Sequence, residues 1–236
     1  MKGGKKKKLI KVISILFILS GALMIIYVFF PLISWQVYFA PSFAAQNVVI
    51  PIPKYTVVSD SNSSACNLLQ NATNAISVDY TDASNWFPSY KFQKSKNSTL
   101  KTYTISIPKI NLKNLTVSTS DTDLAKHLVN YIGTSIPPQN GNAVIFGHST
   151  LPQLYDAKSY KTALTYLYKL SAGDEILVNI NNKEYKYKVE NIIVVDPDNT
   201  SVLEQNYDDS FLTLVTCTPP GTIWKRLVVK ARIENL

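Results

Sequence analysis

The chain has 236 residues, enough for one sizeable domain and an appendage, and carries a formal net charge of +8 at pH 7. Six lysines (Lys2, Lys5, Lys6, Lys7, Lys8 and Lys11) fall in the first eleven residues, and no other charge occurs before residue 50. The remaining net charge of +2, with no basic stripe, excludes nucleic-acid binding as the leading reading.

The basic tail of residues 1–11 is followed by VISILFILSGALMIIYVFFPLI, residues 12–33, an uncharged apolar run. A helix needs about 20 such residues to cross a bilayer core. The run exceeds the roughly 7–15 apolar residues of a cleaved signal, so it reads as a retained anchor. Positive charge before it and none soon after predicts a cytoplasmic N-terminus, with everything beyond Trp35 outside the cell. Trp35, Tyr38 and Phe39 then fall at the outer interface. Residues 34–100 read as an extracellular linker or N-terminal extension, because 47–100 is rich in Ser, Asn, Thr and Asp and has little periodicity. Outside the cytoplasm a disulfide between Cys66 and Cys217 is one reading of the two cysteines. Their surroundings differ, however, with Cys66 in a polar stretch and Cys217 at the end of an apolar strand.

From residue 101 the character changes. YTISIPKINLKNLTVS alternates apolar and polar residues around a proline, as an edge strand and its continuation do. DTDLAKHLVNYIG predicts a short helix, with Asp121 as cap, Leu124, Leu128 and Ile132 at helical spacing, and Gly133 as stop. NAVIFGH reads as a buried strand ending at His148, and YKTALTYLYKL as a second helix before the turn SAGDE. EILVNI, EYKYKVENIIVV, FLTLVTC and RLVVKARI are four further strands rich in Val, Ile, Leu and Tyr. Strands dominate and turns separate them, which favours a mainly β, closed or nearly closed barrel over alternating βαβ units.

Two histidines, two cysteines and two arginines limit the chemistry. His127 falls within the predicted helix beside Lys126 and reads as structural. His148 closes an apolar strand just before a loop, where rigid scaffold meets solvent and functional side chains concentrate. Cys217 has the same setting, ending FLTLVTC before TPPG turns the chain. The eight residues Thr218 to Lys225 join that strand to RLVVKARI, so Cys217 and Arg226 can face each other if the two strands pair. A cation beside a thiol stabilises the thiolate nucleophile, and a guanidinium fork can hold a developing oxyanion. Two scattered His and two scattered Cys cannot form a zinc cluster at recognised spacing, and no glycine-rich phosphate loop occurs, so no metal or cofactor is expected.

TLVTC at 213–217, followed by an arginine that opens the next strand, resembles the signature of the sortase family. ISIPKINLKNLTV resembles the first barrel strand of that family, GNAVIFGHS the strand delivering its histidine, YLYKLSAGDEI the helix and turn that follow, and YKYKVENIIVVDPDNTSVL the next strands and loop. These pieces occur in family order across about 103–234. The resemblance implies a sortase-like closed barrel of about eight strands with two or more short helices at 101–236. It also implies a cysteine transpeptidase working through a thioacyl enzyme. In that reading Cys217 is the nucleophile, His148 the acid/base group, Arg226 the substrate or oxyanion ligand, and Thr216 a substrate-binding neighbour. The implied partners are C-terminal sorting peptides of secreted proteins and an amine from a cell-wall precursor or a pilin lysine. Calcium ligands of some family members find no match here. The segment 47–100 has no counterpart; it reads as a stalk or peripheral extension, a lid folded over the site being the other reading, with DASNWFP at 82–88 at best a distant echo of a lid motif. Competing readings are a non-catalytic extracellular barrel that binds envelope peptides, and another Cys/His peptidoglycan transpeptidase. The latter is disfavoured because Arg226 lies far from Cys217 in sequence. A papain-like protease is disfavoured as well, because His148 precedes Cys217.

Overall fold

The computed structural model describes residues 3–34, 78–87 and 100–234. Two compact units separate at residues 45 and 46. The first contains helix α1 (Gly3–Ser34). Within it Lys11–Phe30 is long and apolar enough to cross a membrane, with its side chains exposed on all sides.

The second unit is a closed eight-stranded barrel in the order β1-β2-β3-β4-β7-β8-β6-β5. Its strands are β1 (Thr102–Ile107), β2 (Leu112–Ser118), β3 (Leu128–Asn130), β4 (Gly141–Phe146), β5 (Glu175–Ile180), β6 (Lys183–Val195), β7 (Ser210–Thr218) and β8 (Lys225–Ile233). The pairs β2–β3 and β4–β7 are parallel and the others antiparallel. The mainly β barrel expected from the strand pattern is therefore the observed fold.

Alternation along each strand sorts side chains to two faces. Ile105 of β1, Val178 of β5, Leu212 and Leu214 of β7, and Val229 and Ala231 of β8 are buried and share the barrel interior by register. The outer face of β4, β7 and β8 carries Val144, Phe146, Val215, Cys217 and Val228, which are buried as well. Their cover comes from the 3₁₀ turn Thr200–Leu203 and from Ala83, Trp86 and Phe87, which join the same cluster. Cover on both faces explains why every residue of β7 is buried and why its sequence is a continuous apolar run rather than an alternating one.

Two local expectations fail. The helix predicted over 121–133 is instead an irregular turn leading into β3. Leu124 and Leu128 are spaced as on a helix, but Leu128, Val129 and Asn130 are all buried between β2 and β4, and this pairing overrides a short periodic pattern. His127 in that turn bonds Asp121 Oδ1 through Nε2 at 3.0 Å and lies 3.1 Å from the Leu128 carbonyl through Nδ1, as a structural histidine does. The second predicted helix is two separate 3₁₀ turns, Tyr160–Thr162 and Leu167–Lys169. Thr162 and Thr165 cap carbonyls within this stretch and so compete with α-helical bonding.

Candidate active site

The ladder between β7 and β8 sets Cys217 directly opposite Arg226. Cross-strand partners point to the same side of a sheet, so the scarce cysteine and arginine meet on the outer face. β4 runs parallel to β7, with Phe146 opposite Val215, and its continuation through Gly147 brings His148 to the same strand mouth. Gly147 is required by close approach: a Cβ there would lie 2.5 Å from Leu128 Cδ2 and 2.7 Å from Leu164 Cδ1. The turn is pinned by Gly147 N–H donating to the Val215 carbonyl at 3.1 Å and Leu164 N–H donating to the His148 carbonyl at 2.9 Å. Ser149 Oγ donates to the Cys217 carbonyl at 2.7 Å, tying the residue after His148 to the cysteine backbone.

Thr216 precedes Cys217 in β7. Its side chain alternates to the face opposite Cys217, is buried, and donates to the Gly147 carbonyl at 2.7 Å. The residue thus holds the turn that carries His148. The cysteines differ from the disulfide reading in that Cys217 is a free buried thiol; Cys66 lies outside the described residues.

A further feature comes from the N-terminal extension. Residues 78–87, expected as spacer, lie over the strand mouth. Asp82 caps the 3₁₀ turn Ala83–Asn85 by accepting from Ser84 N–H at 2.9 Å. Two backbone bonds tack the segment to the 121–124 turn, Ala83 N–H to the Thr122 carbonyl at 2.9 Å and Leu124 N–H to the Thr81 carbonyl at 2.8 Å. Trp86 is fully buried, stacks on Phe146 at 5.4 Å and 12°, and sits 5.6 Å from the His148 ring. Its ring also lies 5.2 Å from the Arg226 guanidinium, whose Nη2 donates to the Trp86 carbonyl at 3.3 Å. The sequence signal was DASNWFP at 82–88, a distant echo of a lid motif in an otherwise polar stretch.

This cover sets the electrostatics. Burial pushes the Cys217 thiol up despite the opposing Arg226 charge. Burial, helped by the Lys161 ammonium and opposed by Asp79, lowers His148 to about 4. Under the cover both groups are neutral at pH 7. Arg226 spends Nη1 on the Ile223 carbonyl at 3.0 Å. Its Nε and His148 Nε2 are buried without a protein hydrogen-bond partner among the described residues. Unspent donors and acceptors of this kind concentrate where a reacting group is to be received. Among the described residues no group of three or more His, Cys, Asp or Glu is placed to hold a metal.

The family model of the sortase domain matches residues 105–234. Among characterised relatives, sortase D of Bacillus subtilis is 29% identical over 129 residues, covering 53% of this chain and 60% of the relative. Sortase SrtE1 of Streptomyces coelicolor is 38% identical over 72 residues, 27% of this chain and 20% of the relative. The chain thus spans less than two thirds of the length of both. Among solved structures, a lid mutant of sortase A from Corynebacterium diphtheriae superposes with a TM-score of 0.50 at 29% identity, covering 60% of this chain and 74% of that one. A Clostridium perfringens sortase D5 transpeptidase does so with a TM-score of 0.50 at 29% identity, over 60% of this chain and 83% of that one.

Proposed function

This chain belongs to the sortase family, and from that premise we propose that it is a membrane-anchored cysteine transpeptidase. Its anchor is α1, with the N-terminus cytoplasmic and the barrel outside the cell. The observation that carries the catalytic reading is the meeting of Cys217 and Arg226 across one ladder, with His148 delivered beside them by the neighbouring strand.

The chemistry follows from these groups. With the 78–87 segment displaced, water returns and the two burial-driven pKa shifts relax toward each other, so the Cys217 proton can pass to His148. The thiolate attacks the carbonyl of the scissile amide in a sorting peptide, and the oxyanion is stabilised by the Arg226 fork, whose Nε has no other partner among the described residues. The C–N bond breaks as His148 gives its proton to the leaving nitrogen, leaving a thioester on Cys217. An amine from a cell-wall precursor or a pilin lysine then attacks the thioester, passes its proton to His148, and expels the thiolate. Splitting one amide exchange into two acyl transfers is the gain of nucleophilic catalysis.

The test uses full-length protein in detergent micelles with a randomised peptide library and an amine acceptor, read by mass spectrometry. An acyl adduct on Cys217 that is discharged by the amine, and is absent in Cys217→Ala, is the expected result. No adduct with any peptide overturns the proposal.

A further inference from the structure

At the far end of the same outer face, a cavity of about 350 Å³ opens between the 3₁₀ turn Thr200–Leu203 and the strands. Lys230 of β8, Asn191 of β6 and Glu204 line it, together with Asn142, Thr213 and Gln205. Register connects this chamber to the candidate site. Thr213 pairs with Lys230 four positions before Cys217 pairs with Arg226, so both pairs face the same side. At about 3.3 Å per residue the two ends are about 13 Å apart. Between them lie Val215 and Val228, an apolar floor continuous with Val202 of the turn.

Three of the chamber's polar side chains are already committed. Asn142 Nδ2 donates to the Val202 carbonyl at 3.1 Å, and its Oδ1 accepts from Thr213 Oγ1 at 2.7 Å. Gln205 Oε1 accepts from Asn142 N–H at 3.0 Å, while its Nε2 donates to the Asn142 and Leu203 carbonyls, each at 3.0 Å. These bonds fasten the turn to β4. Lys230 is different: it is half-buried, its ammonium lies 4.5 Å above the Phe211 ring, and among the described residues it makes no ion pair. Asn191 is half-buried, and among the described residues its amide makes no side-chain hydrogen bond. Glu204 is exposed, so water screens its charge more than that of Lys230.

The direction of a bound peptide follows from the proposed chemistry. The leaving group must lie beside His148, where the incoming amine also enters, beyond the end of β4. The acyl half, which stays on Cys217, takes the opposite direction along β7 and β8 toward the chamber. An extended peptide then places its fourth residue before the acylated one about 13 Å from the sulfur, at Lys230.

Resting on the transpeptidase reading, we propose that this chamber is a specificity pocket for an acidic side chain four positions upstream of the residue acylated on Cys217, with Lys230 as its charged partner and Asn191 as a second donor. A half-buried cation that makes no ion pair among the described residues favours a carboxylate over an amide, and over a second cation more strongly still.

The test acylates full-length protein in micelles with a randomised dodecapeptide library and sequences the peptides held on Cys217. Wild type is expected to enrich Asp and Glu at the fourth position upstream by about tenfold over Gln and Asn, the worth of one charge-assisted hydrogen bond. Lys230→Met is expected to erase that enrichment while the preferences nearer the thioester remain, and Lys230→Glu to invert it toward Lys and Arg. Adducts with no acidic preference at that position, or a preference unchanged in Lys230→Met, overturn the pocket and leave the transpeptidase reading standing. Absence of any adduct overturns both.

Discussion

Replacing Trp86 by alanine separates a cover from a core residue. The side chain is fully buried among Phe146, His148 and Arg226, and such a truncation costs at least about 3 kcal/mol. If 78–87 opens without unfolding the barrel, that cost falls on the covered state alone, and the open population rises by about two powers of ten until it saturates. Three structural facts favour local opening. The described part of the segment is ten residues long, only two backbone bonds join it to the 121–124 turn, and the barrel closes through its own eight strands. The assay is the rate of Cys217 alkylation by iodoacetamide across pH 6–10, with adducts located by mass spectrometry. Wild type should react slowly with a high apparent thiol pKa, since burial raises it. Trp86→Ala should react up to about a hundredfold faster, with the apparent pKa displaced downward. An unchanged rate and profile refute the reasoning. So does a large fall in the melting temperature without faster alkylation, which makes Trp86 part of the barrel core.

Two further outcomes follow from the site. His148 is held at about 4, below its ordinary value of 6.5, so the uncovered or unfolded chain binds more protons between those limits. The stabilisation from a neutral His148 is fully present above pH 6.5 and is lost as pH falls toward 4, at up to about 1.4 kcal/mol per pH unit. Thermal melts at pH 7.5 and 5 should show that loss, and His148→Asn should flatten it. Arg226→Lys keeps the charge opposite Cys217 but loses the planar fork, so kcat/KM should fall by about two powers of ten while the alkylation profile of Cys217 moves little; equal turnover with lysine removes the oxyanion role.

The barrel was legible because its strands obey local rules. Val- and Ile-rich runs separated by turns mark β5 to β8, and Asn181–Asn182, both with positive φ, form the two-residue link that joins β5 to β6. The pairing of Cys217 with Arg226 was legible because an eight-residue connection between two apolar strands permits few registers. The helices failed because three apolar residues at spacing four fit several structures, and the neighbouring strands decided between them. Thr216 follows a simple rule: adjacency to Cys217 along β7 puts its side chain on the opposite sheet face. The cover was legible only as a faint lid echo in DASNWFP, because its contacts are long-range. Nothing within residues 78–87 announces that Trp86 will stack on Phe146 sixty residues later, and a polar composition argues against it.

In the proposed reaction the cover also constrains what a substrate must do. Trp86 and Phe87 occupy the apolar floor made by Val144, Phe146, Val215 and Val228, which is the surface closest to Cys217. A peptide that reaches the thiol has to replace those contacts, because leaving that floor wet would cost about 25 cal/mol for each Å² of apolar surface exposed. Side chains immediately upstream of the scissile carbonyl are therefore required to be apolar, whereas the chamber at Lys230 is free to select on charge. The two ends of the groove divide the work. Apolar contacts near Cys217 are spent on displacing the segment and so appear weakly in affinity, while the ion pair four residues away is added in full. Binding energy directed to uncovering the nucleophile also makes reactivity conditional on the substrate: without a peptide the thiol and imidazole stay buried and neutral, and the reactive pair forms only in the complex.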